Sequence, residues 1–278
     1  MDRDLAPDGA TRLFPIVGDP IAHVRSPAGM SRAFAAAGRN ALCVPAHVAA
    51  ADFEAAMAGF AAQANVDGLL ITMPHKFAGF AHCATASARS RFLRAVNLMR
   101  REPDGTWHGD MLDGLGFVAA AGARGGEPRG ERALLVGAGG AGSAIALALI
   151  EAGVSSLAIH DVDAGRRDAL VGALAARGGP PVTAGSADPS GFGFVANATS
   201  AGMAPGDPLP LDVSRLALGA FVACVETSSD ASPLVLAARA RGHRASTGAD
   251  MFVAIRDMMV AFLLGTGAFA RRGDDAGA

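Results

Sequence analysis

The sequence has no tyrosine, one tryptophan and three cysteines among 278 residues. Cys43, Cys83 and Cys224 are scattered, show no C-x-x-C spacing and sit in apolar stretches. That pattern excludes a disulfide framework or redox dithiol and reads as reduced, buried thiols of a cytoplasmic protein. His47, His82, His108 and His243 have no metal-ligand spacing, so no metal is expected. The net charge is -2, which points to neither nucleic acid nor a membrane surface as a partner. No apolar run is long enough to cross a bilayer: Met251–Leu264 is too short and carries Arg256 and Asp257. Residues 1–11 lack an apolar leader and read as a frayed end; residues 271–278 read as a polar tail.

Alanine and glycine are abundant, and apolar runs alternate with helical patterns, which predicts an α/β protein with mostly parallel strands. Strands are expected at Leu13–Val17, Ala41–Val44 and Gly68–Thr72, with helices around Gly29–Ala37 and Ala51–Ala62. The polar, Gly-rich stretch Gly122–Arg132 reads as a hinge. The expected organisation is a substrate domain over residues 1–117, a dinucleotide-binding domain of Rossmann type over 118–248, and a C-terminal segment, 249–278. That segment completes the first domain with a helix returning to the interdomain region. Trp107 is expected to cap the small domain, and Met251, Met258 and Met259 to fill core at the domain junction.

The nucleotide-binding expectation rests on Ala133-Leu-Leu-Val-Gly-Ala-Gly-Gly-Ala-Gly142. An apolar strand runs into glycines at G-x-G-x-x-G spacing, then into a helix pattern, and Asp161 closes the next apolar run. Gly137 permits the tight turn, Gly139 lets backbone approach a pyrophosphate, and Gly142 lets helix pack on strand; Ala138, Gly140 and Ala141 complete the turn. Asp161 stands where a carboxylate accepts from an adenosine ribose 2′-OH and repels a 2′-phosphate, so NAD is expected over NADP. Arg166 and Arg167 read as the solvated start of the next helix.

Four segments of the first domain place polar residues at strand ends or turns, where an interdomain cleft would collect them: Gly18–Pro27, Ile71–Lys76, Ala95–Asn97 and Gly109–Gly116. Lys76 and Asp113 facing one carbonyl can carry the proton half of a hydride transfer, the ammonium donating to the developing alkoxide and the carboxylate orienting it. His23 and His75 flank the same segments and read as structural or solvated.

In this order, ahead of this glycine motif, the segments resemble the shikimate and quinate dehydrogenase family over roughly Phe14–Gly265. The family's G-x-P-x-x-H-S-x-S-P is similar to Gly18–Pro27, its N-V-T-x-P-x-K to Leu70–Lys76, its A-V-N-T to Ala95–Leu98 and its G-x-N-T-D-x-x-G to Gly109–Gly116. Its N-A-T-S-x-G-M is similar to Asn197–Met203. The resemblance implies Lys76 and Asp113 as the catalytic pair and Ser26, Thr72 and Asn97 as substrate contacts. It places Thr199, Ser200, Met203, Val225 and Gly248 on the nicotinamide side of the cofactor. The implied reaction interconverts a ring hydroxyl and ketone of a small cyclic hydroxy acid in a monomer or homodimer.

Departures from the family pattern cluster on substrate contacts. Val24 replaces a serine, Thr227 stands where the family carries a substrate-binding tyrosine, Ile255 aligns with a glutamine, and Met111-Leu112 replace Asn-Thr. Arg25 can compensate by pairing with a substrate carboxylate. A drifted substrate preference is expected, and a non-catalytic dinucleotide-binding regulator is the alternative.

Overall fold

The computed structural model describes residues 6–22, 24–202, 206–227 and 230–270. His23, Met203 and the tail from residue 271 lie outside them. The chain divides into two compact units, residues 1–112 with 256–278, and residues 113–255.

In the first unit the elements are β1 (Arg12–Gly18), α1 (Ser26–Ala36), β2 (Ala41–His47), α2 (Phe53–Ala62), β3 (Gly68–Ile71), α3 (Lys76–Ala81), β4 (Thr85–Ala86), α4 (Ala88–Leu93), β5 (Leu98–Arg101) and β6 (Trp107–Asp110). Its sheet has the order β2-β1-β3-β5-β6-β4. β1 lies parallel to both β2 and β3, and β4 parallel to β6, while β5 runs antiparallel to β3 and β6. β2 continues through Pro45 to His47, further than its apolar run suggests, because it is the sheet's edge and a missing N–H costs no ladder bond there. α1 starts at Ser26, ahead of the expected Gly29, since Pro27 presets the first helical turn. Helices cover the sheet through Phe53 and Met57, which pack with Val17, Leu69, Ile71 and Val96. Trp107 joins this cluster, only 6% exposed, with the Arg101 guanidinium over its ring; it is core and not a surface cap.

The second unit contains α5 (Asp113–Ala123), β7 (Arg132–Val136), α6 (Gly140–Glu151), β8 (Ser156–His160), α7 (Ala164–Arg177), β9 (Val182–Ala184), β10 (Phe194–Asn197), β11 (Phe221–Cys224), α8 (Pro233–Ala240), β12 (Ala245–Ser246) and the first half of α9 (Gly248–Leu264). Its sheet, β12-β11-β10-β7-β8-β9, is entirely parallel. The strand order reverses between β7 and β10, which makes their C-terminal ends the switch point where an open sheet leaves a crevice. All four residues of β10 and of β11 are buried, as expected of strands covered on both faces.

The units part between Leu112 and Asp113, ahead of the Gly122–Arg132 stretch expected to be the hinge. α5 packs along α6, so its apolar face, with Phe117, Ala120 and Ala121 buried, belongs to the second unit's core. A glycine-rich loop marks where a chain can turn; the burial of the preceding helix decides which core it serves. The second boundary falls inside α9, with Ile255 in one unit and Arg256 in the other.

Candidate functional site

At the switch point of the second unit, the turn after β7 is built by backbone constraints. Gly137 has φ 104°, a conformation that side chains rarely adopt, and a Cβ there would lie 2.8 Å from the carbonyl carbon of Ala198, just past β10. A Cβ on Gly142 would collide with the Gly137 carbonyl oxygen, so α6 can meet the turn only through glycine. α6 begins at Gly140 with Gly139 as its cap, and no side chain caps it. Its first-turn amides therefore retain their donors for an anion, and a dinucleotide pyrophosphate fits that cradle. Gly139, Gly140 and Ala141 are partly exposed, whereas Ala138 is buried.

Asp161 closes β8 beside this turn and is 8% exposed. Its Oδ2 accepts from the Ala138 N–H at 2.7 Å and its Oδ1 from the Asp163 N–H at 2.8 Å. The carboxylate thus braces the glycine turn as well as marking the strand end. Arg166 reaches back with its guanidinium 3.7 Å from Asp161 and 3.4 Å from Asp163, a pairing the sequence did not disclose. Val162 next to it is an apolar side chain at 97% exposure, a feature with no periodicity to announce it.

Across the switch point, Asn197 is fully buried and shapes the turn after β10. Its Oδ1 accepts from the Thr199 N–H and hydroxyl at 3.1 and 2.7 Å, and the Thr199 hydroxyl oxygen accepts from the Ala201 N–H. Ser200 is exposed on this turn. The Val225 N–H donates to the Asn197 carbonyl, placing the end of β11 alongside. Glu226 follows, 3% exposed, then the half-buried Thr227. Gly248, at the start of α9, sits so close to the Glu226 carbonyl that any Cβ would clash with it. Of these buried polar groups, Asn197 heads the Asn197–Met203 motif, whereas Glu226 lies outside every motif read from the sequence.

In the first unit, Thr72, Lys76 and Asn97 are gathered at one end of the sheet. The Thr72 N–H donates to Val17, the Ile71 N–H to the Asn97 carbonyl, and the Val96 N–H to the Lys76 carbonyl at 2.9 Å. Lys76 is the first residue of α3 and is half-buried. It is also the only lysine in the chain, every one of its other side-chain cations at neutral pH being arginine. The Asn97 side chain is only 6% exposed, and its Oδ1 accepts from the Leu112 N–H at 2.9 Å. Ser26 opens α1 half-buried, and Arg25 precedes it, exposed. Asp113 opens α5 in the second unit, 8% exposed, in the first turn of a helix where a carboxylate is favoured.

Three of the residues that depart from the family pattern, Met111, Leu112 and Ile255, are occupied with packing, while Val24 and Thr227 are half-buried. Met111 and Leu112 are at most 1% exposed, and Ile255, 3% exposed, closes on Gly116, where a Cβ would meet its own at 2.7 Å. Burial pushes the thiols of Cys43 and Cys83 up to about 12. Among the described residues no group of three acidic, histidine or cysteine side chains can hold a metal ion, and no helix is long and apolar enough to cross a membrane.

Comparison with known proteins agrees with this geometry. The shikimate dehydrogenase substrate binding domain matches residues 16–99. Shikimate dehydrogenase (NADP(+)) of Rubrobacter xylanophilus is 37% identical over 87% of this chain and 86% of its own. Quinate dehydrogenase from Corynebacterium glutamicum, solved in complex with NAD, superposes with a TM-score of 0.81 at 26% identity, covering 92% of this chain and 94% of its own. The 5-ketofructose reductase of Gluconobacter sp. superposes with a TM-score of 0.78 at 27% identity, covering 92% and 93%. A likeness of this extent, carried by both units, has one reading: the chain belongs to the shikimate dehydrogenase family of NAD(P)-dependent oxidoreductases.

Proposed function

We propose that this protein interconverts a ring hydroxyl and a ketone on a cyclic hydroxy acid of the shikimate or quinate type, with Lys76 moving the proton and Asp113 orienting it. One observation carries the proposal. In a chain whose other 23 Lys-or-Arg positions are all arginine, the single lysine falls at the lysine position of the family motif. A guanidinium cannot release a proton near neutral pH, so arginine, interchangeable on a charged surface, cannot replace an amine that must gain and lose one.

A bound nicotinamide dinucleotide supplies the hydride acceptor or donor. The chain's own groups do the rest. In the oxidising direction the neutral Lys76 amine takes the hydroxyl proton as the C–H hydride departs; in reduction the ammonium returns a proton to the alkoxide. Thr72, Asn97 and Ser26, with Arg25 toward a carboxylate, hold the ring. Thr227 takes the place of the family's tyrosine with a shorter hydroxyl. On the dinucleotide side, Gly137–Ala141 with the α6 amides would hold the pyrophosphate, Val162 would cover one face of the adenine, and Thr199, Ser200, Val225 and Gly248 would line the nicotinamide.

NAD is the proposed cofactor. A 2′-phosphate at Asp161 would compete for Arg166 with two carboxylates, at 3.7 and 3.4 Å from the guanidinium. The Rubrobacter relative is named for NADP(+), so the proposed preference departs from that relative and rests on the β8–α7 turn alone.

One observation favours a second substrate class. Val24, where the family pattern has a serine that contacts the carboxylate, suits a neutral polyhydroxylated ketone better than a carboxylic acid, and the Gluconobacter reductase is named for such a ketone. Steady-state assays with shikimate, quinate and 5-ketofructose, each with both dinucleotides, discriminate the readings. Turnover of a cyclic acid with NAD, abolished by Lys76→Ala, is the expected result. Dinucleotide binding without turnover of any substrate would leave the protein a regulator.

A further inference from the structure

We infer that His75 is a positioning residue for Lys76, holding the short helix that carries the amine through one hydrogen bond and one shared aromatic ring. The inference rests on the reading of Lys76 as the proton-transfer group. α3 is six residues long, too short to keep an orientation by its own hydrogen bonds, so its packing must aim it. Both its ends are capped by histidines, His75 before Lys76 and His82 after Ala81. The two rings converge on one side chain of α2. His75 stacks flat on Phe53, centroids 4.5 Å apart at 12°, and His82 meets the same ring edge-on at 5.7 Å and 74°.

His75 is the stronger anchor. It is 2% exposed, and its Nε2 lies 2.7 Å from the Val48 carbonyl oxygen. A carbonyl only accepts, so Nε2 carries the proton. Val48 is in turn tied to β1, its N–H donating to Gly18. The His75 backbone N–H donates to Thr72 and its carbonyl accepts from Gly79, so the residue that joins the turn to the helix is the one whose ring is anchored on Val48. His82 contributes a weaker, outer contact, Nε2 to Glu54 at 3.3 Å, where Glu54 is largely exposed. A lysine adjoining a ring fixed in this way has its Cα and Cβ placed by the same anchor, and a proton donor displaced by about 1 Å can cost a hundredfold in rate.

The single lysine makes the test direct, because protein grown on [6-13C]lysine gives one lysine resonance. His75→Phe keeps the stacked ring and deletes the donor; His75→Gln returns an N–H at similar reach. We expect His75→Phe to lower kcat about tenfold with KM within twofold, and to shift both the lysine limb of the kcat/KM pH profile and the midpoint of the resonance. His75→Gln should recover most of each. An unchanged kcat, pH profile and lysine resonance in His75→Phe, with only a lower Tm, would make His75 purely structural and overturn the inference. Should His75→Phe fail to fold, His75→Asn, whose shorter amide ends near Nδ1 and does not reach the Val48 carbonyl, carries the same expectations and the same overturning result. Lys76→Ala separates the two levels: if that variant keeps its rate, the reading of Lys76 itself falls; if it is inactive while His75→Phe behaves as wild type, only the positioning role falls.

Discussion

The side-chain oxygen of Asn97 accepts the backbone N–H of Leu112, the residue immediately before Asp113, at 2.9 Å. The family resemblance implies Asn97 as a substrate contact; its side-chain oxygen is spent instead on the chain that leads to Asp113, the acid proposed to orient the proton. Asn97→Ala would leave a buried N–H without its acceptor, at a cost of about 1–3 kcal/mol in stability, and lower activity as well. Asn97→Asp keeps the acceptor but puts a carboxylate at a position only 6% exposed, so its stability should fall as pH rises above the carboxylate range, whereas the loss in Asn97→Ala should not depend on pH. Urea unfolding of the two variants as a function of pH checks the difference.

Asp161 braces the glycine turn through Ala138, so its replacement reaches beyond the ribose contact proposed for it. In Asp161→Ala, repulsion of a 2′-phosphate disappears and Arg166 keeps only Asp163 as a partner. The ratio of kcat/KM with NAD to that with NADP should fall at least about tenfold, which corresponds to about 1.4 kcal/mol of discrimination. NAD binding itself should weaken too, because the turn loses its anchor. An unchanged ratio would remove the carboxylate from the cofactor argument.

How far the residues announced themselves depends on what enforces each feature. The G-x-G-x-x-G turn was legible because steric limits at Gly137 and Gly142 allow nothing else, and spacing records that directly. The start of α1 and the length of β2 were set by Pro27 and by an edge position, both of which local apolar patterns miss. The parting of the units before α5 was hidden for another reason: the glycines of 122–132 are real turn formers, but the packing of α5 on α6 is a long-range fact. Likewise no pattern shows that both oxygens of Asp161 are taken by backbone, or that His75 shares a phenylalanine with His82.

Gly142→Ala tests the cradle without touching a charged group. Its Cβ would press on the Gly137 carbonyl oxygen, which is backbone and cannot step aside cheaply. Overpacking of this kind costs about 1–3 kcal/mol, and here it pushes α6 off the turn. Dinucleotide affinity, read from the fluorescence of the bound reduced form, should fall by at least about tenfold.

The absence of tyrosine opens an alkaline window that most proteins lack. Three cysteines and one lysine are the only side chains whose ordinary pKa lies between 8 and 11. Cys43, shielded by burial, is raised from 9.0 to about 12. The folded state therefore holds its proton where the unfolded state has lost it. The stability this contributes is intact below pH 9 and declines as pH rises toward 12, by up to about 1.4 kcal/mol per pH unit for a fully unmatched thiol. Cys43→Ala should flatten the fall of unfolding free energy above pH 9, whatever it does to stability at pH 7. Denaturant titrations at pH 7, 9 and 10.5 read the slope.

Lys76→Arg is the sharpest test of the chemistry, because it follows the chain's own habit of placing arginine wherever a cation is needed. Charge, approximate length and helix propensity survive, so folding and dinucleotide affinity should stay near wild type. What is lost is an exchangeable proton near neutral pH, since a guanidinium holds its own above pH 12. General acid–base catalysis contributes about 10²–10⁴ in rate, and kcat should fall by that factor with KM moving far less. If Lys76 served only to attract an anionic substrate, arginine would serve as well: kcat would hold and the proton-transfer role would be lost. Measured beside Lys76→Ala on the same substrate, the pair separates charge from proton. Only a proton carrier predicts that the conservative replacement is nearly as damaging as deletion.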